Sequence, residues 1–531
     1  MTGPYRTSLA LPFLMMAALF LRLHHLGVPI LGTNSWRMAD NGAMARNYLE
    51  PGGRGFCYPR VDWGGDGPGF VQSEFPAYPY AVSLLYRLFG AGELPARALS
   101  VACSLAGLAF LYLVVLEAAG PCAAGTQRHG SSASERAAGT QRHGSSASER
   151  AAFWAGFFLA FLPLSVYYGR AVMAEPAMLA ALTGGVWAFM RWSRTGSVAA
   201  LLLSGVLVSF GCLLKVPSLY IGLPLAWLAW LRHGRAAWRR LELWGYAAVV
   251  LVPVALWYWH SGRVLAEGGL SLFGDWRFGA DKWGNAGLLF SWEFWNRIIF
   301  ERLAGKHLTW VGFAFLVGGL FTRVERPVER VFEWWLAAAL IFSAIVAKGS
   351  FVHEHYQLAF LPPATAIMAR AAAAAAVTPL SAARVAVRPL AGRPVILGLA
   401  LAAMLVLSAV RYARTALLEL PSRSPVWRMA ADLKARSAPR DLVVVLDNGD
   451  PTALYLSGRK GWVAHDFEVR SANARGLFRE RAGRGARWFA GLYSRLPDPE
   501  GRARLDALLR QYGKVVSTSE YFIVRMRGRS R

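Results

Sequence analysis

The chain alternates between apolar runs of membrane-spanning length and shorter polar stretches. A helix crosses the bilayer core with roughly 20 mostly apolar residues. Runs of that character lie near 9–26, 94–116, 152–168, 175–191, 198–214, 217–231, 244–260, 308–321, 331–347, 357–376 and 395–411. They predict a polytopic α-helical membrane protein with about 11 transmembrane helices. Some runs are interrupted, the first by Arg22, His24 and His25 near its end, another by Lys215. Beyond residue 411 the pattern changes. Ser424–Ala438 and Arg502–Tyr512 have helical spacing, Asp441–Leu446 reads as a buried strand, and Lys514–Met526 alternates as a closing strand pair. Residues 412–531 therefore predict a small soluble α/β domain that follows a transmembrane domain over 1–411.

Composition points the same way. Of 531 residues, 55% are hydrophobic and 17% charged, against about 45–50% and about 25% in soluble proteins. Disorder and a disulfide scaffold are excluded; the four cysteines are too scattered for a bonded framework. A net charge of +26 would suggest nucleic acid in a soluble protein. Here the arginines fill short loops between apolar runs, so membrane topology accounts for them and no nucleic-acid partner is implied. Arg6, Arg128, Arg150, Arg191, Arg194, Arg235, Arg326 and Arg388 mark one set of loops as cytoplasmic. Loops 27–93 and 261–307 and the tail then lie outside, and the N-terminus lies inside. No small-residue cleavage site follows the first apolar run, which reads as an anchor. Residues 123–136, AAGTQRHGSSASER, recur unchanged at 137–150. Identical short copies of this composition predict a flexible cytoplasmic loop over 123–150.

A transporter would carry its ionisable residues at mid-depth within the spans. This chain concentrates polar and aromatic residues at the outer ends instead. Residues 32–80 hold Asp40, Asp62, Asp66 and Glu74 with Arg37, Arg46, Arg54 and Arg60, among several Trp and Tyr. Long loops in compact proteins are usually functional or disordered, and the aromatics argue against disorder. Helical spacing over Met38–Leu49 puts Asp40, Met44 and Asn47 on one face. By position alone, Asp40 suits a helix N-terminal charge preference as well as catalysis. Lys215 interrupts Phe210–Leu225 at the outer boundary, either to bind an anion or to snorkel. Arg170 and Glu175 are expected to pair across an outer hairpin. His353 and His355, two residues apart with Glu354 between them, fit no common helical zinc pattern, so no metal site is expected.

Ser35-Trp36-Arg37-Met38-Ala39-Asp40 and the following Ala43-Met44-Ala45-Arg46-Asn47-Tyr48 closely resemble the first outer loop of bacterial glycosyltransferases. These belong to the protein O-mannosyltransferase and aminoarabinose-transferase superfamily, with the GT-C fold. The resemblance continues through Tyr58–Gly65, Ser73–Tyr80, Leu84–Gly90, Tyr168-Gly169-Arg170 with Met173 and Glu175, and His353–Gln357. It implies a transferase of the bacterial inner membrane that takes a sugar from a polyisoprenyl-phosphate donor on the outer side. The acceptor would be a glycan, a lipid or a protein. It also implies that Asp40 is the base on the acceptor, with Glu74 as a second acid near Arg37. The transition state is oxocarbenium-like, and the departing phosphate needs cations. Arg170, Lys215, Arg263, His353 and His355 are candidates for that task, and Tyr356 and Gln357 for sugar or phosphate contact. No cofactor is implied. The competing expectation is a non-enzymatic transporter or lipid-linked-sugar flippase.

Overall fold

The computed structural model describes residues 9–120, 134–273, 282–376 and 393–526. It is mostly helical. Helix α1 (Ala10–Arg22) leads into the segment that carries α2 (Ser35–Asn47), the short strand β1 (Val71–Gln72) and α3 (Ala77–Phe89). Then come α4 (Glu93–Ala119), α5 (Ser134–Phe161), α6 (Pro163–Tyr168), α7 (Glu175–Thr195), α8 (Val198–Leu214), α9 (Gly222–His233) and α10 (Leu241–Gly268). After β2 (Leu270–Ser271) follow α11 (Ala286–Leu289), α12 (Trp292–Trp295) and a π-helical segment, Asn296–Leu308, that runs into α13 (Thr309–Phe321). The helical part closes with α14 (Val331–Ile345), α15 (Ala347–Val352), α16 (Leu361–Ala376) and α17 (Arg393–Leu417). Among the described residues, 5 helical stretches are long and apolar enough, by length and composition, to cross a membrane: Glu93–Ala119, Leu241–Gly268, Trp292–Phe321, Glu354–Ala376 and Val395–Leu417. Outward-facing leucines and tryptophans such as Leu202, Leu256, Trp259 and Leu399 are exposed. That is the inverted surface expected of helices solvated by lipid.

Two features differ from the expected pattern. The apolar run 152–168 is broken at Leu162, because Pro163 cannot continue the helix and instead opens α6. The duplicated stretch also differs from the flexible loop that its composition predicts over 123–150. Residues 123–133 lie outside the described residues, but from Ser134 onward the backbone is helical and continuous with α5. Ala, Gln, Glu and Arg sustain a helix once the apolar part of α5 has nucleated it.

After α17 come α18 (Pro425–Arg436), β3 (Leu442–Leu446), α19 (Thr452–Ser457), β4 (Lys460–Ala464), α20 (Asp466–Arg470), α21 (Ala474–Gly483), β5 (Ala486–Leu492), α22 (Pro499–Leu509), β6 (Gly513–Ser517) and β7 (Tyr521–Arg525). The strands form one sheet in the order β4-β3-β5-β7-β6. β3 lies parallel to β4 and β5, whereas β7 is antiparallel to β5 and β6. Val444, Leu446, Phe489, Phe522 and Val524 point to one face; Val443, Val445, Ala490 and Ile523 point to the other. Both faces are therefore covered, as a parallel centre requires.

The segment 27–93 is tied to its surroundings at two places. β1 pairs with β2, Val71 with Leu270 and Gln72 with Ser271, which joins it to the chain after α10. On the other side, Gly461 donates its N–H to the Asp62 carbonyl at 2.9 Å, and Gly65 donates to the Gly461 carbonyl at 2.7 Å. β4 is an edge strand, and the segment covers the start of that edge.

Candidate functional site

Helix α2 starts at Ser35, earlier than its spacing suggests, because Asn34 adopts a left-handed conformation (φ 60°) that asparagine tolerates better than most residues. This brings Arg37 and Asp40 onto adjoining turns of one helix. Both are buried. Asp62, Arg46 and Asn47 brace the helix end: Arg46 pairs with Asp62, and Asn47 Nδ2 donates to Asp62 Oδ1 at 3.1 Å. Asp62 is thereby committed to structure.

Among the described residues, Asp40 accepts one side-chain hydrogen bond, from Trp63 Nε1 at 3.0 Å. Burial pushes its carboxyl up to about 7, against the pull of the Trp63 hydrogen bond and Arg37 and with the help of Asp450 and Asp62. A carboxylate poised there can accept a proton near neutral pH.

Glu74 follows β1 in the turn before α3, and its surroundings are the reverse. It pairs with Arg37 through one oxygen and with Lys215 Nζ at 3.2 Å through the other. Burial alone would raise its carboxyl, but Arg37, Lys215 and Lys282 together hold it well below the usual carboxylate range. Lys215 is the C-cap residue of α8, where the chain turns extended before Pro217. Its ammonium also lies 3.1 Å from Glu175 at the start of α7. Glu175 in turn is 3.9 Å from His355 Nε2.

The segment between α15 and α16 supplies the remaining wall. His353 packs its ring 5.6 Å from Trp36, His353 and His355 lie 5.5 Å apart, and Tyr356 is 4.8 Å from His355. His355 Nδ1 is buried and has no hydrogen-bond partner among the described residues. Arg37, Glu74, Lys215, His353, His355 and Tyr356 thus converge, with Asp40 one helical turn from Arg37.

Three expected contacts lie elsewhere. Gln357 is fully buried behind the wall, bonded to Arg302 at 3.3 Å and to the Ser350 carbonyl at 3.0 Å. Arg263 is exposed on α10, stacked over Trp259. Arg170 does not pair with Glu175. It bonds Glu419 at 2.5 Å and Tyr412 at 3.0 Å, which fastens the turn after α6 to the end of α17. The acid that claims Arg170 is distant in sequence, and Glu175 is held by Lys215 instead.

Two residues of the site carried little or no sequence signal. Lys282 has no repeating pattern around it, yet it acts on Glu74, and burial lowers its ammonium to about 8. Trp63 lies in the matched stretch Tyr58–Gly65, but nothing in its spacing marks it as the donor to Asp40.

The family model for dolichyl-phosphate-mannose-protein mannosyltransferases matches residues 144–259. No curated protein sequence is significantly similar to the chain. Among solved structures, ArnT from Cupriavidus metallidurans in the apo state superposes with a TM-score of 0.61 at 16% identity, over 97% of each chain. The same protein bound to undecaprenyl phosphate gives 0.59 at 15% identity, again over 97% of each chain. The arabinofuranosyltransferase AftD from Mycobacteria gives 0.54 at 13% identity, over 99% of this chain and 42% of that one. The chain has the fold of these multi-pass membrane glycosyltransferases, GT-C.

Proposed function

We propose that this protein is a membrane glycosyltransferase that moves a sugar from a polyisoprenyl-phosphate donor to a hydroxyl acceptor, with Asp40 as the general base. The observation that carries the reading is a buried carboxyl poised near neutrality, one helical turn from a cluster of cations. Arg37, Lys215 and Lys282 offer positive charge where a phosphate departs, and charge grows on its oxygens as the glycosidic bond breaks. Asp40 takes the proton from the acceptor hydroxyl as that oxygen attacks the anomeric carbon. Its negative charge also favours the oxocarbenium-like centre. Glu74 and Glu175 hold the cations in place before the donor arrives. His355, with its unpartnered ring nitrogen, and Tyr356 offer polar contact to the sugar.

An apolar cavity of about 510 Å³ lies between α7, α8, α9 and α10, lined by residues that include Cys212, Leu219, Leu225 and Val250. Cys212 and Leu219 flank Lys215 in the chain, which suits an isoprenoid tail whose phosphate rests at that lysine. The shared fold with an ArnT structure that binds undecaprenyl phosphate supports the same donor class. In this reading about 11 helices cross a bacterial inner membrane, the arginine-rich loops face the cytoplasm, and residues 412–531 form an extracytoplasmic domain.

The test is transfer by the purified protein from a panel of polyprenyl-phosphate sugars. A product that forms with at least one donor is expected. Movement of lipid-linked sugar across vesicles, without transfer from any donor, would overturn the assignment.

A further inference from the structure

The sheet unit that follows α17 forms part of the wall around Asp40. Trp63, itself partly buried, packs against two apolar clusters at once. One contains Met44, Val61 and Val71 of the segment 27–93; the other contains Val443, Val445, Ala453 and Leu454 of the sheet unit. The hydrogen bonds from Gly461 to the Asp62 carbonyl and from Gly65 to the Gly461 carbonyl bracket Trp63 along the chain. Backbone pairing to β4 therefore sets where the indole stands, and the indole N–H reaches Asp40 Oδ1. No hydrogen bond within the described residues engages the other Asp40 oxygen.

The opposite side of α2 is also fastened to the sheet unit. Tyr455 of α19 lies so close that a Cβ on Gly42 would meet its ring at 2.7 Å. Arg46 donates to the Tyr455 carbonyl at 3.3 Å. Beyond the carboxyl end of β3, Asp450 accepts from the Thr452 N–H at 2.8 Å at the start of α19, and it helps to raise the Asp40 carboxyl.

We infer that the sheet unit is a working part of the transfer site: through Trp63 it fixes the direction of the Asp40 carboxylate, and through Asp450, which accepts from the Thr452 N–H at 2.8 Å at the start of the helix packed on α2, it adds a second carboxyl. This rests on the reading of Asp40 as the base, and it makes Trp63 a positioning residue. The charged groups that face Asp40 are Arg37 from its own helix, Asp62 from the segment 27–93 and Asp450 from the sheet unit. Burial raises the carboxyl, the indole N–H and Arg37 oppose that, and the two aspartates reinforce it. Removing the donor and removing the remote charge must therefore act in opposite directions.

The experiment is the pH profile of kcat/KM for the full-length protein, with a polyprenyl-phosphate sugar accepted in the transfer panel. Trp63→Phe keeps the apolar contacts and loses the donor. Its acid limb is expected to move to higher pH by about 1 to 2 units, the size of one charge-assisted hydrogen bond. Asp450→Asn is expected to move the limb to lower pH. A merely structural Trp63 would lower the melting temperature and leave the limb in place, and that result overturns the inference. Should Trp63→Phe fail to fold, an unmoved limb in Asp450→Asn overturns it as well. Asp40→Asn separates the two claims. If it retains transfer within about fivefold, a loss far short of general-base assistance, the base reading has failed. If it is inactive while both other variants keep the wild-type limb, only the present inference has failed.

Discussion

Asp40 and Glu74 belong to the same segment between α1 and α4 and are both largely buried, but their surroundings drive them apart. Asp40 faces Trp63 and the sheet unit, where burial, only partly offset by the Trp63 hydrogen bond and Arg37, raises its carboxyl to about 7. Glu74 faces α7 and α8 and is locked between Arg37 and Lys215, so it stays ionised. Where two carboxyls are pushed in opposite directions, the one near neutrality can exchange protons and the other can only supply charge. The same residue type thus serves two purposes according to which wall it faces.

The strongest challenge to that contrast is Asp40→Asn, which keeps the shape and removes the basicity. Loss of general-base assistance is expected to lower turnover by about 10²–10⁴, roughly 3–5 kcal/mol of barrier, in protein that still folds and binds donor. Retention within about fivefold in a transfer assay would erase the distinction, and Glu74 would become the next candidate base.

Glu74→Gln should fail for a different reason. It leaves Arg37 and Lys215 without their shared anion, and breaking a buried pair costs about 3–5 kcal/mol of stability. Because the Glu74 side chain is 16% exposed, the lower end of that range is expected. Thermal melts should show the loss, while the surviving folded fraction keeps most of its turnover at saturating donor.

Titration sharpens the comparison further. The folded-state carboxyl of Asp40 lies above its ordinary value, so its contribution to stability is complete below about pH 4 and is lost as pH rises through about 7. Glu74 has the opposite sign, with its contribution present above about pH 4 and lost on acidification. Melting temperatures followed from pH 4 to pH 8 should decline less in Asp40→Asn than in the wild type. An identical slope would mean that Asp40 titrates as an ordinary carboxyl. Turnover should run the other way, rising with pH through about 7 as the base form accumulates.

A smaller effect is expected at Lys282. Its removal by Lys282→Ala should weaken donor binding about tenfold, in line with one lost charged hydrogen bond, with little change in melting temperature. Equal affinity in a direct lipid-phosphate binding measurement would place it outside the phosphate site. The smallest effect belongs to the duplicated stretch, far from either acid in the chain. Deleting residues 137–150 should leave transfer within about twofold, since the identical copy at 123–136 then leads into the remainder of α5.

The sequence by itself determined the helical, membrane-spanning character of most of the chain, because apolar runs of bilayer length leave a backbone few alternatives. It also carried the strand DLVVVL and the closing strand pair of the sheet unit, whose apolar continuity or alternation is strong. β4 and β5 were less legible: glycine, lysine and arginine interrupt their patterns, and pairing with β3, and for β5 also with β7, makes them strands. Among the site residues, Asp40, Arg37, Glu74 and Lys215 were legible from local motifs and a lysine that breaks an apolar run. Only the tertiary structure decided which acid meets which cation. Arg170 turned to Glu419 instead of Glu175, and Gln357 turned inward to Arg302. Lys282 joined the site from a position whose neighbours in sequence say nothing of chemistry, and Trp63 from a matched stretch whose spacing does not mark it as a donor. Periodicity is a local property that reports burial and backbone form. Charge pairing and pKa depend on distances of a few ångströms between segments far apart in the chain, and those distances exist only once the helices and the sheet unit have packed.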